Sequence, residues 1–490
     1  MVVTVVGKML LSVALTSLLV LPLSLAQETV LGVYMFHRHG DRTSKSTPPA
    51  NLTDLGYQGV YASGTYYRSR YIASGGALEV NGISRDLVKQ SQISVSAPAD
   101  TVLQNSAQGF LQGLYPPVGK ALASQTLRNG TNVTSPLNGY QLIPVGLVST
   151  GGGSEDNAWL QSASGCTAAI SSSNNFFYSE EYMNLLSSTR NFYGALLPVV
   201  NTTFNSGYMS FKNAYTIYDL IHVAEIHNAT IPSSDLLTTS TLHQTQTLAD
   251  AHEWGLAYNA SDNMRAIGGM TLAAQIVQFL NNTIATEGRA SKIGIQFGAY
   301  ASFASFFGLT DLPSVNSDFF GIVDYASAMT FELFTNSSDI SAAYGKPEEL
   351  YVRFLFHNGT TSDASPPVAY PLFGQPRMEL SWSEFTAGMN KFAIGTTREW
   401  CTACGNSSGT CAAYANPAGP SSTSNTSSTQ TRKGNGLSPA VNGVIGAMFT
   451  LAVVLGVQAL IMLLGGLKVV KKNRLARHGT AAEMDSTIKA

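Results

Sequence analysis

An uninterrupted apolar run that ends in a knot of histidine and arginine constrains this chain most. Thr29-Val30-Leu31-Gly32-Val33-Tyr34-Met35-Phe36 reads as a buried strand, and His37-Arg38-His39-Gly40-Asp41-Arg42 follows at once. Sites in open α/β sheets form at the carboxyl ends of strands. The guanidinium fork suits phosphate oxygens, and a histidine held between two such forks can attack phosphorus. The cluster therefore reads as a phosphoryl-transfer site, with His39 as nucleophile and Arg38 and Arg42 as phosphate ligands. His37, two residues back on the same strand, reads either as a second imidazole or as a solvent-facing residue.

Arg38-His39-Gly40-Asp41-Arg42 resembles the Arg-His-Gly-x-Arg signature of the histidine acid phosphatases, in the phosphoglycerate-mutase-like group. The chain looks most similar to secreted fungal members. The family usually carries proline two residues past the second arginine; here that position is Ser44. The resemblance continues through Thr53-Asp54-Leu55-Gly56, which opens a helix running to Tyr71, and through a strand over residues 93–97. It extends to a helix over residues 106–114 that ends in Tyr115-Pro116-Pro117. Further on, residues 264–280 read as an amphipathic helix, 292–297 as a strand, 302–307 as a helix and 349–357 as a late strand. Residues 122–250 hold helical stretches, such as 183–197 and 215–225, and the family places a mostly helical cap there. The resemblance implies an α/β fold, a central mostly parallel sheet flanked by helices, with the cap inserted.

The resemblance also implies chemistry. Phosphomonoesters are hydrolysed at acidic pH through a phosphohistidine, without metal or organic cofactor. Three further family positions depart from the pattern. The third phosphate arginine should precede the Ser106-Ala107 helix, yet residues 94–107 contain no arginine and Val102 stands at the equivalent place. After the strand at 292–297 the family has His-Asp, the second imidazole and the proton donor; here Tyr300 and Ala301 stand there. Alanine donates no proton, and general acid catalysis is worth roughly 10²–10⁴-fold. Asp41, Asp54 and Asp311 are substitutes in reach of the sequence, none at the matching position. The pairs Glu225/His227 and His252/Glu253 carry only a weak metal-ligand signal.

Residues 1–26 read as a signal peptide, with Lys8, an apolar core and Ser24-Leu25-Ala26 before the cut; a retained anchor is the alternative. Residues 27–415 then form the extracellular domain, 416–439 a Ser/Thr-rich stalk, 444–467 a transmembrane helix and 468–490 a cytoplasmic tail. Lys468, Lys471, Lys472, Arg474 and Arg477 place the tail inside, making a type I single-pass protein of the secretory pathway and cell surface. Sequons at Asn51, Asn129, Asn132, Asn201, Asn228, Asn259, Asn281, Asn336, Asn358, Asn406 and Asn425 read as glycan sites on surface loops. Four cysteines in an exported chain read as two disulfides, with three possible pairings. Charged residues are only 12% of the chain and net charge is −2, with no basic patch before the tail, which excludes nucleic acid as a partner. The partners expected are a phosphorylated small molecule and the membrane. Two functional readings stand: a surface phosphatase of impaired activity, and a catalytically silent phosphate-binding or structural glycoprotein.

Overall fold

The computed structural model describes residues 28–76, 78–148 and 165–414. The stretches read as leader, stalk, membrane segment and tail, and Asn425, lie outside the described residues. Among the described residues no helix is long and apolar enough to cross a membrane.

The elements that position the site are, in chain order, β1 Thr29–Arg38, α1 Asp54–Tyr71, β2 Ile93–Ala97, α2 Thr101–Leu114 and β3 Gly146–Leu147. Cap helices α3 Glu180–Ser188, α4 Ala214–His227 and α5 Thr239–Ala257 follow. Then come α6 Ile267–Ala285, β4 Ile293–Gly298, α7 Tyr300–Leu309, β5 Ala328–Thr335, β6 Leu350–His357, β7 Glu379–Ser381 and α8 Trp382–Met389. The helix starts follow local chemistry. Thr53 caps α1 by accepting from the Gly56 N–H, and Asp100 caps α2 by accepting from Val102 and Leu103, so α2 begins five residues before the expected Ser106.

The sheet runs β7-β6-β5-β1-β4-β2-β3. It is parallel from β1 through β4 and β2 to β3, and antiparallel from β1 through β5 and β6 to β7. The class is mixed α/β, with helices on both faces. Gly146–Leu147 extends the parallel edge, so these residues, inside the stretch read as cap, belong to the sheet.

β1 is buried almost throughout, and its alternation changes phase at an irregularity between Val30 and Gly32 in its pairing with β5. Past that point Val33 and Met35 face α1 and α2, while Tyr34 and Phe36 face the layer of α6, α7 and α8. The cap helices hold a separate apolar cluster around Phe176, Tyr193, Phe211, Ile217 and Leu248. Of the three pairings open to the cysteines, the structure has Cys166–Cys404 and Cys401–Cys411. Among the described residues no sequon asparagine is buried, although Asn281 sits within α6 rather than in a loop.

Candidate active site

β1 and β4 lie side by side and parallel, with Arg38 opposite Gly298. Their carboxyl ends therefore bring the motif loop against Ala299, Tyr300 and Ala301. The loop also rests on the first turn of α1. A β-carbon on Gly40 would stand 2.5 Å from the Gly56 carbonyl oxygen, and one on Gly56 only 2.1 Å from that of Asp41. Only glycine at both places allows the two backbones to touch.

His39 is fully buried, and its Nδ1 lies 2.8 Å from the Gly40 carbonyl oxygen. A carbonyl only accepts, so Nδ1 carries the proton of the neutral ring and Nε2 holds the lone pair. The Gly40 N–H donates to Ser106 Oγ at 3.1 Å, and that hydroxyl donates to the Val102 carbonyl at 2.7 Å. The Val102 position thus contributes a backbone acceptor to the loop's support while its side chain is buried. Arg38 donates from Nη1 to the Val323 carbonyl and lies over the rings of Tyr325, at 4.4 Å, and Tyr300, at 5.5 Å.

Arg42 is fully buried and forms an ion pair with Asp219 of α4, Nη1 to Oδ1, at 2.9 Å. Its Nη2 donates to the Tyr215 hydroxyl at 3.1 Å, one turn earlier on the same helix. Asp219 Oδ2 accepts from the Ser44 hydroxyl at 2.8 Å and the Lys45 N–H at 2.9 Å. Serine in place of the family's proline supplies the first of these donors. A guanidinium, a hydroxyl and a backbone N–H are the donor set that a phosphoryl group takes. A carboxylate of the cap meets them here.

Helix α4 presents more than Asp219. His222, three residues on, has its ring 5.3 Å from that of Tyr218 and 5.8 Å from that of Tyr325, and His39 lies 5.6 Å from Tyr325 on its own account. Burial, then the Arg38 charge, pushes the His222 pKa down. His227 at the end of α4 places Nε2 2.6 Å from Asp41 Oδ1, which also accepts from the Thr53 hydroxyl. On α5, burial pushes the Asp250 carboxyl up to about 6, against the Ile322 N–H that it accepts.

The structure brings Arg38, His39, Arg42 and Tyr300 together. Ala301, in the first turn of α7, is half-buried against the core and holds no polar group. Tyr300 donates its hydroxyl to Glu253 Oε2 of α5 at 2.7 Å, while Glu253 Oε1 lies 2.7 Å from His252 Nδ1. Tyr300 thus ties the carboxyl end of the central strands to the cap. Asp54 is exposed at the start of α1, and Asp311 lines a different cavity with Trp254 and Tyr258. Among the described residues no three His, Cys, Asp or Glu gather as a metal site. Tyr215 and Asp219 of α4 were missed in the sequence because they lie more than 170 positions from the motif; the apolar periodicity of α4 marks its inner face but not the partner of Asp219.

His37 is neither a second imidazole nor a solvent-facing residue. β1 ends at Arg38, so the shared face does not extend to His39. The His37 ring is buried on the face of Met35, 5.1 Å from Phe297 and 4.6 Å from Phe110. Its Nε2 has no hydrogen-bond partner among the described residues, and burial pushes its pKa down to about 3. The group is neutral when folded but titrates near 6.5 when unfolded. Its contribution is thus fully present above pH 6.5 and is lost as pH falls towards 3. His37→Leu is expected to fold at pH 7 and to resist acid better, by about 3 kcal/mol at pH 4. Denaturant melts at pH 7 and pH 4 measure this; an equal acid loss in both proteins would refute it.

The model of the histidine phosphatase superfamily (branch 2) matches residues 46–357, and the chain belongs to that family. The match begins just past Arg42, so the motif and the match are separate pieces of evidence. Among solved structures, the phytase from Citrobacter braakii shares 14% identity over 77% of this chain and 99% of its own, at a TM-score of 0.50. The phytase of Klebsiella sp. ASR1 shares 12%, over 76% and 98%, also at 0.50. At such identities these likenesses show the fold. A search of curated proteins finds no match.

Proposed function

We propose that this chain is a phosphomonoester hydrolase that works through a phosphohistidine on Nε2 of His39. The observation that carries the reading is the bond from Nδ1 to the Gly40 carbonyl, which fixes the tautomer with its lone pair on Nε2, beside Arg38 and Arg42. Nε2 attacks phosphorus, the bond from phosphorus to the ester oxygen breaks, and Arg38 neutralises charge on the phosphoryl oxygens. The leaving alkoxide takes its proton from water, because Ala301 offers none. Water then attacks phosphorus, returning the lone pair to Nε2 and releasing phosphate. Esters with poor leaving groups therefore react slowly. The leader, sequons, stalk and apolar segment at 444–467 support placing this activity on the outer cell surface, as a glycosylated, single-pass protein.

The purified full-length chain is expected to hydrolyse an aryl phosphate at pH 4–6, and an alkyl phosphate roughly 10²–10⁴-fold more slowly. His39→Ala should abolish both reactions, and Ala301→Asp should raise alkyl turnover. Turnover that survives His39→Ala, or its absence with the aryl ester, sinks the reading. A second reading, a silent phosphate-binding protein, draws support from the Asp219 carboxylate on Arg42. It is favoured if no ester turns over but phosphate still raises Tm.

A further inference from the structure

A cavity of about 580 Å³ adjoins the motif loop, lined by Gly40, Asp41, Gly56, His222, Asp324 and Tyr325 among others, with no lysine or arginine in its wall. Gly40, next to His39 in the chain, is part of the wall while His39 is not; on the phosphatase reading the alcohol of an ester on His39 occupies this cavity. Asp41 is 5% exposed, and only Oδ1 is engaged, by Thr53 and His227. Oδ2 has no hydrogen-bond partner among the described residues. A buried carboxylate oxygen without a donor is costly, so a ligand that brings one is favoured here. Asp324 adds a second carboxylate on the exposed side. The buried Arg38, which lies over the wall residue Tyr325, donates to the Val323 carbonyl, and Arg42 meets Asp219.

We propose that this cavity selects phosphomonoesters whose alcohol offers a hydroxyl or ammonium donor to Asp41, and that it rejects alcohols bearing further phosphate groups. The inference rests on the phosphatase reading for the placement of the ester. Like charges brought together across a binding surface cost enough to suppress the wrong partner, and two carboxylates in a wall without lysine or arginine do this to a polyanion. The site therefore differs in specificity from one built to hold a polyphosphorylated ring.

Binding to the full-length chain tests this, read as ligand-dependent thermal stabilisation with ethanolamine phosphate, glycerol 2-phosphate, inositol hexakisphosphate and inorganic phosphate. At least one of the two simple esters should bind about tenfold or more tightly than inositol hexakisphosphate, and more tightly than inorganic phosphate. Asp41→Asn should remove the advantage over inorganic phosphate. Asp324→Lys, a change at an exposed position that leaves the core intact, should narrow the gap to inositol hexakisphosphate. Equal or tighter binding of inositol hexakisphosphate overturns the proposal, as does a gap unchanged by Asp324→Lys or no stabilisation by either simple ester. Aryl phosphate turnover separates the two claims. Its absence alongside the expected binding order sinks the catalytic reading alone, and its presence with the reverse order sinks this one alone.

Discussion

Asparagine in place of Asp219 is expected to lower stability by about 3–5 kcal/mol in phosphate-free buffer, and inorganic phosphate is expected to restore much of the loss. Arg42 and Asp219 are 0% and 2% exposed, so the pair is held out of water. Removing one charge of a buried pair strands the other, which costs more than the pair contributed. The Ser44 hydroxyl and Lys45 N–H, both pointed at Asp219, lose their charged acceptor as well. Phosphate can replace the carboxylate at these donors. At a concentration of one hundred times Kd it would add about 2.7 kcal/mol. The parent chain should gain far less, because its carboxylate competes for the same donors. Thermal melts of both proteins with phosphate, with chloride at equal ionic strength as the control, measure this. A loss that phosphate does not reverse would show that Asp219 is a structural partner of Arg42 and stands at no phosphate position.

The second large effect lies away from the site. Glu332 on β5 is fully buried and sits between β1 and β6, opposite Val33 and Arg353. One oxygen accepts from Arg70 at 2.8 Å and from the Tyr71 hydroxyl at 2.5 Å, and the other accepts from Arg353 Nε at 2.8 Å. Arg353 also reaches Glu28 at 2.6 Å and Glu379 at 3.0 Å, so the network clamps the start of β1 and the edge strand β7 to the centre of the sheet. Glu332→Gln keeps the shape and removes the charge. It should cost about 3–5 kcal/mol, which in a domain of this size lowers Tm by about 4–6 °C. A combined change of Glu332, Arg70 and Arg353 to apolar residues of similar volume should recover much of that, since no charge is then left stranded. An unchanged Tm in Glu332→Gln would refute the account.

Much of the parallel half of the sheet was legible in the sequence, and for local reasons. β1, β2 and β4 are short apolar or alternating runs bounded by polar residues, and α1 starts at a Thr53 cap that is visible as such. The placement of Tyr300 and Ala301 beside the motif followed from reading residues 292–297 as a strand. β5 was not named at all, because Ala328–Thr335 is buried on both faces and shows no alternation to mark it as a strand. Glu332 in its middle further obscured an apolar run, and only its partners on α1 and β6 explain why a carboxylate is there. The face of His37 was misread for a related reason. Alternation along β1 is real, but it ends at Arg38, and where a strand stops is set by its neighbours.

What the sequence determined by itself is a histidine between two arginines at one strand end, a matter of local spacing that needs no tertiary information. That an arginine is expected near Val102 and an acid at Ala301 is what the family resemblance implies. Tertiary structure decided what meets that chemistry. It fixed the His39 tautomer through Gly40, set Asp219 against Arg42, and built an acidic cavity from Asp41, on the motif, and Asp324, ahead of β5. Such pairings depend on how helix α4 and the loop before β5 pack across the end of the sheet. Side-chain contacts between segments that far apart leave no period or motif in the chain, because either partner alone is an ordinary polar residue.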